Sequence, residues 1–296
     1  MVPSNANLIA QVQVAKLLQD ADIQSLYQQA PKGVDEPQSL DELLDMAHQE
    51  TGVDFRQFTS AVLFADVTRD EEYFGIIGRG QVNEEQLVSA TEESGGYVLD
   101  TMDYAGQQLY FAPEEADTPA LAFLGDDTLA LGTLPAVQDV IDVQQGNLDR
   151  ISGKVYDTFN DLGDPLFSMA MAVPPDAMTD LDDSFGGGQG FGMMPAMDTF
   201  RDLDVISLVL DKPGNDLKVE AMLDFFTAES ASKMSDTLDG FIKLAAGFAP
   251  DAGTQTLLQK LDLSVSETRL TIKFQAPISE IQEASRTMDQ DFSGEY

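Results

Sequence analysis

FTSAVLFADVTRDEEYFGIIGR, which runs from Phe58 to Arg79, is the stretch that decides the fold. Its two alternating apolar runs flank a charged centre, and this pattern is typical of an antiparallel hairpin. A similar stretch, DVISLVLDKPGNDLKVEAMLD, returns from Asp204 to Asp224, and its centre holds turn-forming Pro, Gly, Asn and Asp residues. The chain is therefore predicted to use one plan twice.

The elements around both hairpins follow the same order, which is strand, helix, hairpin, helix, hairpin and helix. Each half opens with an alternating strand, at Leu8–Val14 in the first and at Leu166–Val173 in the second. Because the strands alternate instead of being apolar throughout, antiparallel sheets with one solvated face are favoured. We predict an α+β fold of two similar halves, residues 1–149 and 150–296, each an antiparallel sheet with helices packed on one face.

Apolar residues at helical spacing predict the helices. One helix is expected at 15–29, directly after the first strand, and another is expected to begin at Pro135. The longest predicted helix runs from Ala228 to Phe248. Its apolar positions are Met234, Leu238, Phe241, Ile242, Leu244 and Ala245. Residues at this spacing share one face of a helix, which we expect to pack against a sheet.

The charge of the chain is far from neutral. It carries 52 acidic residues against 16 basic ones, which gives a formal charge of -36 and a pI near 4.1. Nucleic acid and anionic membranes are poor partners for such a surface, because phosphate binding needs clustered Lys and Arg. Like charges also destabilise the compact state unless salt shortens their reach, to about 3 Å at 1 M. We interpret the chain as adapted to high salt, and the alternative is an acidic protein from an ordinary setting.

The chain contains no cysteine, so disulfides, thiolate nucleophiles and Cys-ligated metals are excluded. No apolar run in the sequence reaches the length of a membrane span. The polar start, Met1–Asn5, lacks the basic and apolar parts of a signal peptide and reaches a strand within a few residues. We expect a mature chain whose leader has been removed.

Several segments resemble a group of secreted or lipid-anchored microbial proteins of unknown function. The resemblance is structural and covers most of the chain. The residues that carry it are Val2-Pro3, Leu8–Val14, Leu17-Leu18-Gln19-Asp20, Tyr97–Ala112, Gly125-Asp126-Asp127 and Leu134–Asp142. The resemblance implies a location outside the cytoplasm, either secreted or anchored at the cell surface, and it carries over no catalytic residue.

One segment, SFGGGQGFGMMPAM at Ser184–Met197, differs in composition from its surroundings. Its glycines give the backbone freedom, and its apolar residues are Phe185, Phe191, Met193, Met194 and Met197. Because covering such residues gains free energy, the segment is a candidate loop for docking a protein partner, for self-association or for contact with lipid. The structural alternative is a loop folded over its own core, with Met filling gaps, and a thioether metal site is a third interpretation.

Carboxylate clusters offer candidate ligands for calcium, which prefers oxygen donors. The cluster that we single out consists of Asp180, Asp182 and Asp183. With 52 acidic residues in the chain, clusters of this kind are also expected by chance. No cofactor other than this possible calcium ion is expected.

The sequence offers few residues for catalysis. His48 is the single histidine, and without Cys it cannot build the usual zinc site, so we expect a surface position on a helix. The sequence has neither a Gly-x-Ser-x-Gly elbow nor a phosphate-binding glycine motif. We therefore predict a protein without enzymatic activity that works by binding or assembly at the cell surface. The alternative is a carboxylate-dependent hydrolase with a site between the two halves.

Overall fold

The computed structural model describes residues 1–29, 36–51, 53–69, 72–95, 98–112, 119–174, 201–249 and 251–284. The chain divides into two compact units, Met1–Phe167 and Ser168–Tyr296. Both units combine antiparallel strands with helices, so the predicted α+β class is confirmed. The boundary after residue 149 stays a prediction, and so does the interpretation of the two halves as a repeat.

The first unit is built on seven strands among its described residues. These strands are β1 (Leu8–Val12), β2 (Phe58–Ala65), β3 (Phe74–Gly80), β4 (Asp100–Tyr104), β5 (Gln107–Phe111), β6 (Pro119–Phe123) and β7 (Thr128–Thr133). The helices are α1 (Val14–Gln19), α2 (Ala21–Gln29), α3 (Leu40–Thr51), α4 (Glu84–Gly95), α5 (Leu134–Gln145) and α6 (Lys154–Asp161), and a 3-10 turn at Phe55–Gln57 precedes β2. The sheet order is β1-β2-β3-β7-β6-β5-β4. The hairpin predicted at Phe58–Arg79 is confirmed, because β2 and β3 pair with Ala65 opposite Phe74.

Strands β6 and β7 are buried on both faces. On one face, Leu121 and Leu129 belong to a hydrophobic cluster that also contains Phe58 and Leu87, the latter from α4. Helix α5 contacts the same two strands and β3. Its buried residues are Ala136, Val137, Val140, Ile141 and Val143. The alternating strand positions are therefore covered on either side, and α5 contributes nearly all of its apolar residues to the core.

The N-terminal segment is tied to the segment that follows α5. The amide of Ile151 donates to the carbonyl of Val2 at 2.9 Å, and the amide of Ser4 donates to the carbonyl of Asp149 at 3.0 Å. The side chain of Val2 is buried. The first and the last parts of this unit are thus joined by backbone hydrogen bonds as well as by packing.

The second unit is built on five strands among its described residues. These strands are β8 (Phe167–Ala172), β9 (Leu203–Asp211), β10 (Asp216–Phe225), β11 (Leu261–Ser266) and β12 (Arg269–Pro277). The helices are α7 (Ala228–Gly247), α8 (Ala252–Leu258) and α9, at 278–284. The order is β8-β9-β10-β12-β11. The second predicted hairpin is confirmed as β9–β10. If β4 and β5 are left aside, the order matches that of β1-β2-β3-β7-β6 in the first unit.

A ladder of charged side chains lies along β10 and β12. The carboxylate of Asp224 accepts two hydrogen bonds from the Arg269 guanidinium, at 2.8 and 2.9 Å. Glu220 lies on the same face of β10 as Asp224, and it forms ion pairs with Lys218 at 3.0 Å and with Lys273 at 3.4 Å. These residues alternate along the strands with apolar residues that pack beneath α7. Asp224 lies opposite Arg269 and Glu220 lies opposite Lys273 on the paired strands, where opposite charges stabilise strand pairing.

Two local predictions were wrong. The single helix expected at 15–29 is broken at Asp20, which adopts an extended backbone with ψ near 111°. The Asp20 carboxylate accepts hydrogen bonds from the amides of Asp22 and Ile23, so it begins α2 as a cap. The sequence also predicts a strand at Tyr97–Met102, and in the structure this strand runs from Asp100 to Tyr104. The β4–β5 turn is tight, and its residue Ala105 has a positive φ of 52°, which composition does not predict.

Candidate docking surface

The site residues singled out from the sequence lie outside the described residues. This holds for the candidate docking loop with Phe185, Phe191, Met193, Met194 and Met197. It holds also for the candidate calcium ligands Asp180, Asp182 and Asp183. Both assignments stay predictions. Among the described residues, a different candidate surface lies at the end of α7.

His48 is exposed on α3, where it borders an open cavity of about 510 Å³ between α3 and α4. The floor of this cavity includes Leu87 and Val82, and Glu85 and Glu93 are among the carboxylates on its wall. Within the part of the chain that the structure describes, no group of three or more His, Asp or Glu side chains is arranged to hold a metal ion. His48 is therefore a surface residue of an acidic groove.

The shifted carboxyl groups of the described residues all favour the charged form. The pKa is lowered at Asp66, Glu220, Glu229 and Asp251. At Glu220, burial opposes ionisation, but Lys218 and Lys273 outweigh it and lower the pKa overall. A general acid in glycoside or ester hydrolysis needs the opposite shift, because it must hold its proton near neutral pH. None of these four groups fits that role, and the hydrolase alternative stays a prediction.

Tyr73 forms a buried polar cluster with α5. Its hydroxyl donates to Asp139 Oδ2 at 2.7 Å and lies 2.9 Å from Asn5 Oδ1. Burial raises the pKa of Tyr73, and the hydrogen bond to the Asp139 carboxylate raises it further. The guanidinium of Arg69 covers the ring at 4.3 Å from its centre. A tyrosine that keeps its proton so firmly is a poor general base. The cluster instead holds the N-terminal segment, through Asn5, against α5 and Tyr73.

Helix α7 begins with a firm cap and a buried turn. The Thr227 side chain accepts a hydrogen bond from the amide of Ser230, which is the usual arrangement at the start of a helix. Ala231 and Met234 follow, and both belong to the hydrophobic cluster of the second unit together with Phe225. The first part of α7 is therefore anchored on the sheet. Its buried residues end at Met234.

The last two turns of α7 present an apolar face to solvent. We call this surface the α7 apolar face and define it as Phe241, Leu244, Ala245 and Phe248. Phe241 is 40% exposed, Leu244 54% and Phe248, which ends the helix, 81%. Ala245 is exposed as well. The spacing places all four on one side of the helix.

The surroundings of the α7 apolar face leave it open. A Cβ atom added at Gly240 or at Gly247 would meet no atom within 4 Å, so none of the described residues fills the space beside these two positions. The sequence from Gly240 to Pro250 contains Lys243 as its single charged residue and contains no carboxylate. On a chain of charge -36, a surface without acidic residues is unusual. Large apolar groups grouped on one exposed helix side are typical of interaction surfaces.

Sequence reasoning identified these apolar residues but assigned them to the core. The helical spacing of Phe241, Leu244 and Ala245 was correct, and α7 runs from Ala228 to Gly247 as predicted to within one residue. Periodicity reports which residues share a face, whereas it does not report what covers that face. The signal that could have found the surface is the gap in acidic residues between Asp239 and Asp251.

The fold resembles that of a solved protein. No protein-family model and no curated protein sequence matches the chain. Crystal form III of TP0453 matches with a TM-score of 0.51 and 12% identity, over 97% of this chain and 98% of that chain. Crystal form I has a TM-score of 0.46 at 12% identity, with the same shares covered. Crystal form IV has a TM-score of 0.49 at 11% identity, over 95% of each chain. At this identity the likeness concerns the fold alone.

None of the described helices combines the length and the apolar composition that a membrane crossing requires. This includes α7, which has 20 residues but carries polar and charged side chains on its other sides.

Proposed function

We propose that this protein has no enzymatic activity and works by binding or assembly at the surface of a cell that lives in high salt, outside the cytoplasm. The observation that carries the proposal is the α7 apolar face. Its three large side chains gain free energy when another molecule covers them, at about 25 cal/mol per Å² of apolar surface removed from water. A docking function needs such a surface and needs no catalytic group.

The charge supports the high-salt part of the proposal. A formal charge of -36 repels itself strongly at low ionic strength, where the screening length is about 10 Å at 0.1 M. We expect the melting temperature to rise steeply with sodium chloride. Calcium chloride at matched ionic strength should give the same rise if the acids act together as a hydrated shell. A further rise with millimolar calcium alone would instead indicate a specific carboxylate site, such as the one predicted at Asp180, Asp182 and Asp183.

The location outside the cytoplasm is supported by the resemblance of several segments to secreted or lipid-anchored proteins. Protease added to intact cells is the direct measurement. We expect the protein to be digested while a cytoplasmic protein of the same cells stays intact. Protection until the cells are broken would contradict the location.

Docking through α7 is tested by photo-cross-linking in the cells that make the protein. A benzoylphenylalanine placed at Phe248 should form covalent adducts. The matched control is the same group at Phe226, which is also exposed, at 64%, but precedes α7. Adducts at position 248 that are absent at position 226 support docking through the α7 apolar face. Equal yields at both positions, or no adduct at either, would overturn it.

A further inference from the structure

We infer that the α7 apolar face binds the same face of a second copy of this chain, in an antiparallel pair of helices related by a two-fold axis. This inference rests on the proposed docking function and names its partner. Four features of the surface carry it, which are the symmetry of its apolar positions, the small residues beside it, its lack of carboxylates and its limited area.

The apolar positions of the face are symmetric along the helix. Phe241 and Phe248 lie at equal distances on either side of the point between Leu244 and Ala245. In an antiparallel pair with its two-fold axis at that point, Phe241 of one copy lies opposite Phe248 of the other. Leu244 then lies opposite Ala245, so a large side chain meets a small one. A two-fold interface requires such self-complementarity, because each copy contributes the same patch.

Small residues beside the face allow two helices to approach closely. Gly240 and Gly247 flank the apolar positions, and the space that a side chain would occupy at each of them is empty. Helices pack when the ridges of one enter the grooves of the other, and small residues deepen those grooves.

The charge of the chain favours contact between two copies through the α7 apolar face over contact through their acidic surfaces. Two copies with a charge of -36 each repel one another at most contacts. The repulsion is smallest where neither partner presents a carboxylate, and the stretch from Gly240 to Pro250 has none. The ammonium of Lys243, within this stretch, is paired with Asp239 on the same helix, so little net charge remains there. Association should therefore strengthen as salt screens the remaining charge.

The area of the face predicts a weak dimer. Full burial of an aromatic side chain removes about 150–250 Å² from water. A standard interface buries about 800 Å² on each partner, so two phenylalanines and one leucine supply roughly half of it. We expect a reversible dimer that is populated at high protein concentration in molar salt and dissociates on dilution.

Sedimentation velocity of the full chain in molar sodium chloride measures the association. We expect a concentration-dependent dimer, and at least a tenfold weaker association in the variant F241S/L244S/F248S. The control variant F226S, which removes another exposed phenylalanine of the same unit, should associate like the parent protein. Circular dichroism establishes that both variants are folded. A parent protein that stays monomeric at all concentrations, or equal association in both variants, would overturn the inference.

Single cysteines test the geometry, because the chain has no cysteine of its own and any disulfide must join two copies. Leu244→Cys places two thiols beside the proposed axis and should form disulfide-linked dimers under mild oxidation. Val98→Cys, at an exposed position of the first unit, is the control and should react far more slowly. Equal rates at the two positions would overturn the two-fold arrangement.

Two outcomes would contradict a second copy as the partner and still leave the docking function intact. Adducts at position 248 in cells that have the mass of a heterodimer would retain the docking function and overturn the second copy. The chain has no tryptophan, so Phe248→Trp provides a single fluorophore. A blue shift of its emission with neutral phosphatidylcholine vesicles, without any shift at rising protein concentration, would identify a lipid surface and likewise overturn the inference. A blue shift with protein concentration alone supports it.

Discussion

Helices α5 and α7 are both amphipathic, yet they use their apolar residues differently. In α5 (Leu134–Gln145) five apolar side chains are buried, and Ile141 is fully inaccessible. In α7 (Ala228–Gly247) the last fully buried residue is Met234, Leu238 is half-buried against the core cluster, and Phe241, Leu244 and Phe248 at the end are exposed. The difference lies in what covers each helix and not in its periodicity. An apolar helix face can thus belong to the core in one place and remain available for a partner in another.

The largest expected effect is the difference in stability loss between truncating a buried residue of α5 and truncating an exposed residue of α7. Ile141→Ala in α5 should lower the free energy of unfolding by about 2–5 kcal/mol, because it leaves a cavity in a packed core. Leu244→Ala in α7 should change it by less than about 0.5 kcal/mol, since the side chain is half exposed in the free protein. Urea unfolding of both variants in molar salt, at protein concentrations where the parent is monomeric, is the measurement. A similar loss for both would show that the end of α7 is packed.

The second contrast concerns charge pairs on the sheet and on α7. Arg269→Met leaves the nearly buried carboxylate of Asp224 without its partner and should cost about 3 kcal/mol. The control is Lys243→Met, which breaks the exposed pair with Asp239 on α7 and should cost less than about 0.5 kcal/mol. The same unfolding assay compares them. If the two losses were equal, the buried position of Asp224 would not matter.

A smaller effect with the opposite sign is expected at Gly240. Gly240→Ala should raise the free energy of unfolding by about 0.5–1 kcal/mol, because alanine restricts the unfolded chain and the added methyl group meets nothing. Gly132→Ala is the contrasting variant, since Gly132 has a φ of 151° and its added methyl group would lie 2.3 Å from the carbonyl oxygen of Phe74. Thermal melting should rise for the first and fall for the second. A fall for Gly240→Ala would indicate a hidden contact on α7.

The smallest effect is a pH dependence at the charged ladder. The pKa of Glu220 is lowered, so its contribution is present above its ordinary pKa near 4.5 and is lost as the pH falls through the folded-state value. Lys218→Met should reduce this contribution by about 0.5 kcal/mol at neutral pH, since both side chains are partly exposed. Its deficit should shrink toward pH 3. A deficit that is the same at both pH values would mean that Lys218 acts through packing alone.

The hairpins were predictable because their signals are local. The alternation around Phe58–Arg79 and the Pro-Gly turn at Lys212–Asp216 each fix a strand pair within about twenty residues, and both pairs formed as predicted. The break at Asp20 was missed because a carboxylate can either follow a helix or cap it, and the choice depends on the neighbouring packing.

The exposure of the α7 apolar face was missed for a different reason. Burial depends on contacts between residues that are distant in sequence, and periodicity carries no information about them. For Phe241, the spacing gave the correct side of the helix and the wrong environment. The hydrophobic pattern therefore predicts the fold better than the candidate site, whereas the local lack of acidic residues on a very acidic chain is the signal for the candidate site.

The hydrogen bonds between Val2 and Ile151 also affect how the protein is made. The ribosome releases the first of these residues long before the second, and synthesis adds about 5–20 residues per second. The beginning of the chain must therefore wait for several seconds without its final neighbours. During that interval β1 and β2 can pair, but the first unit cannot close.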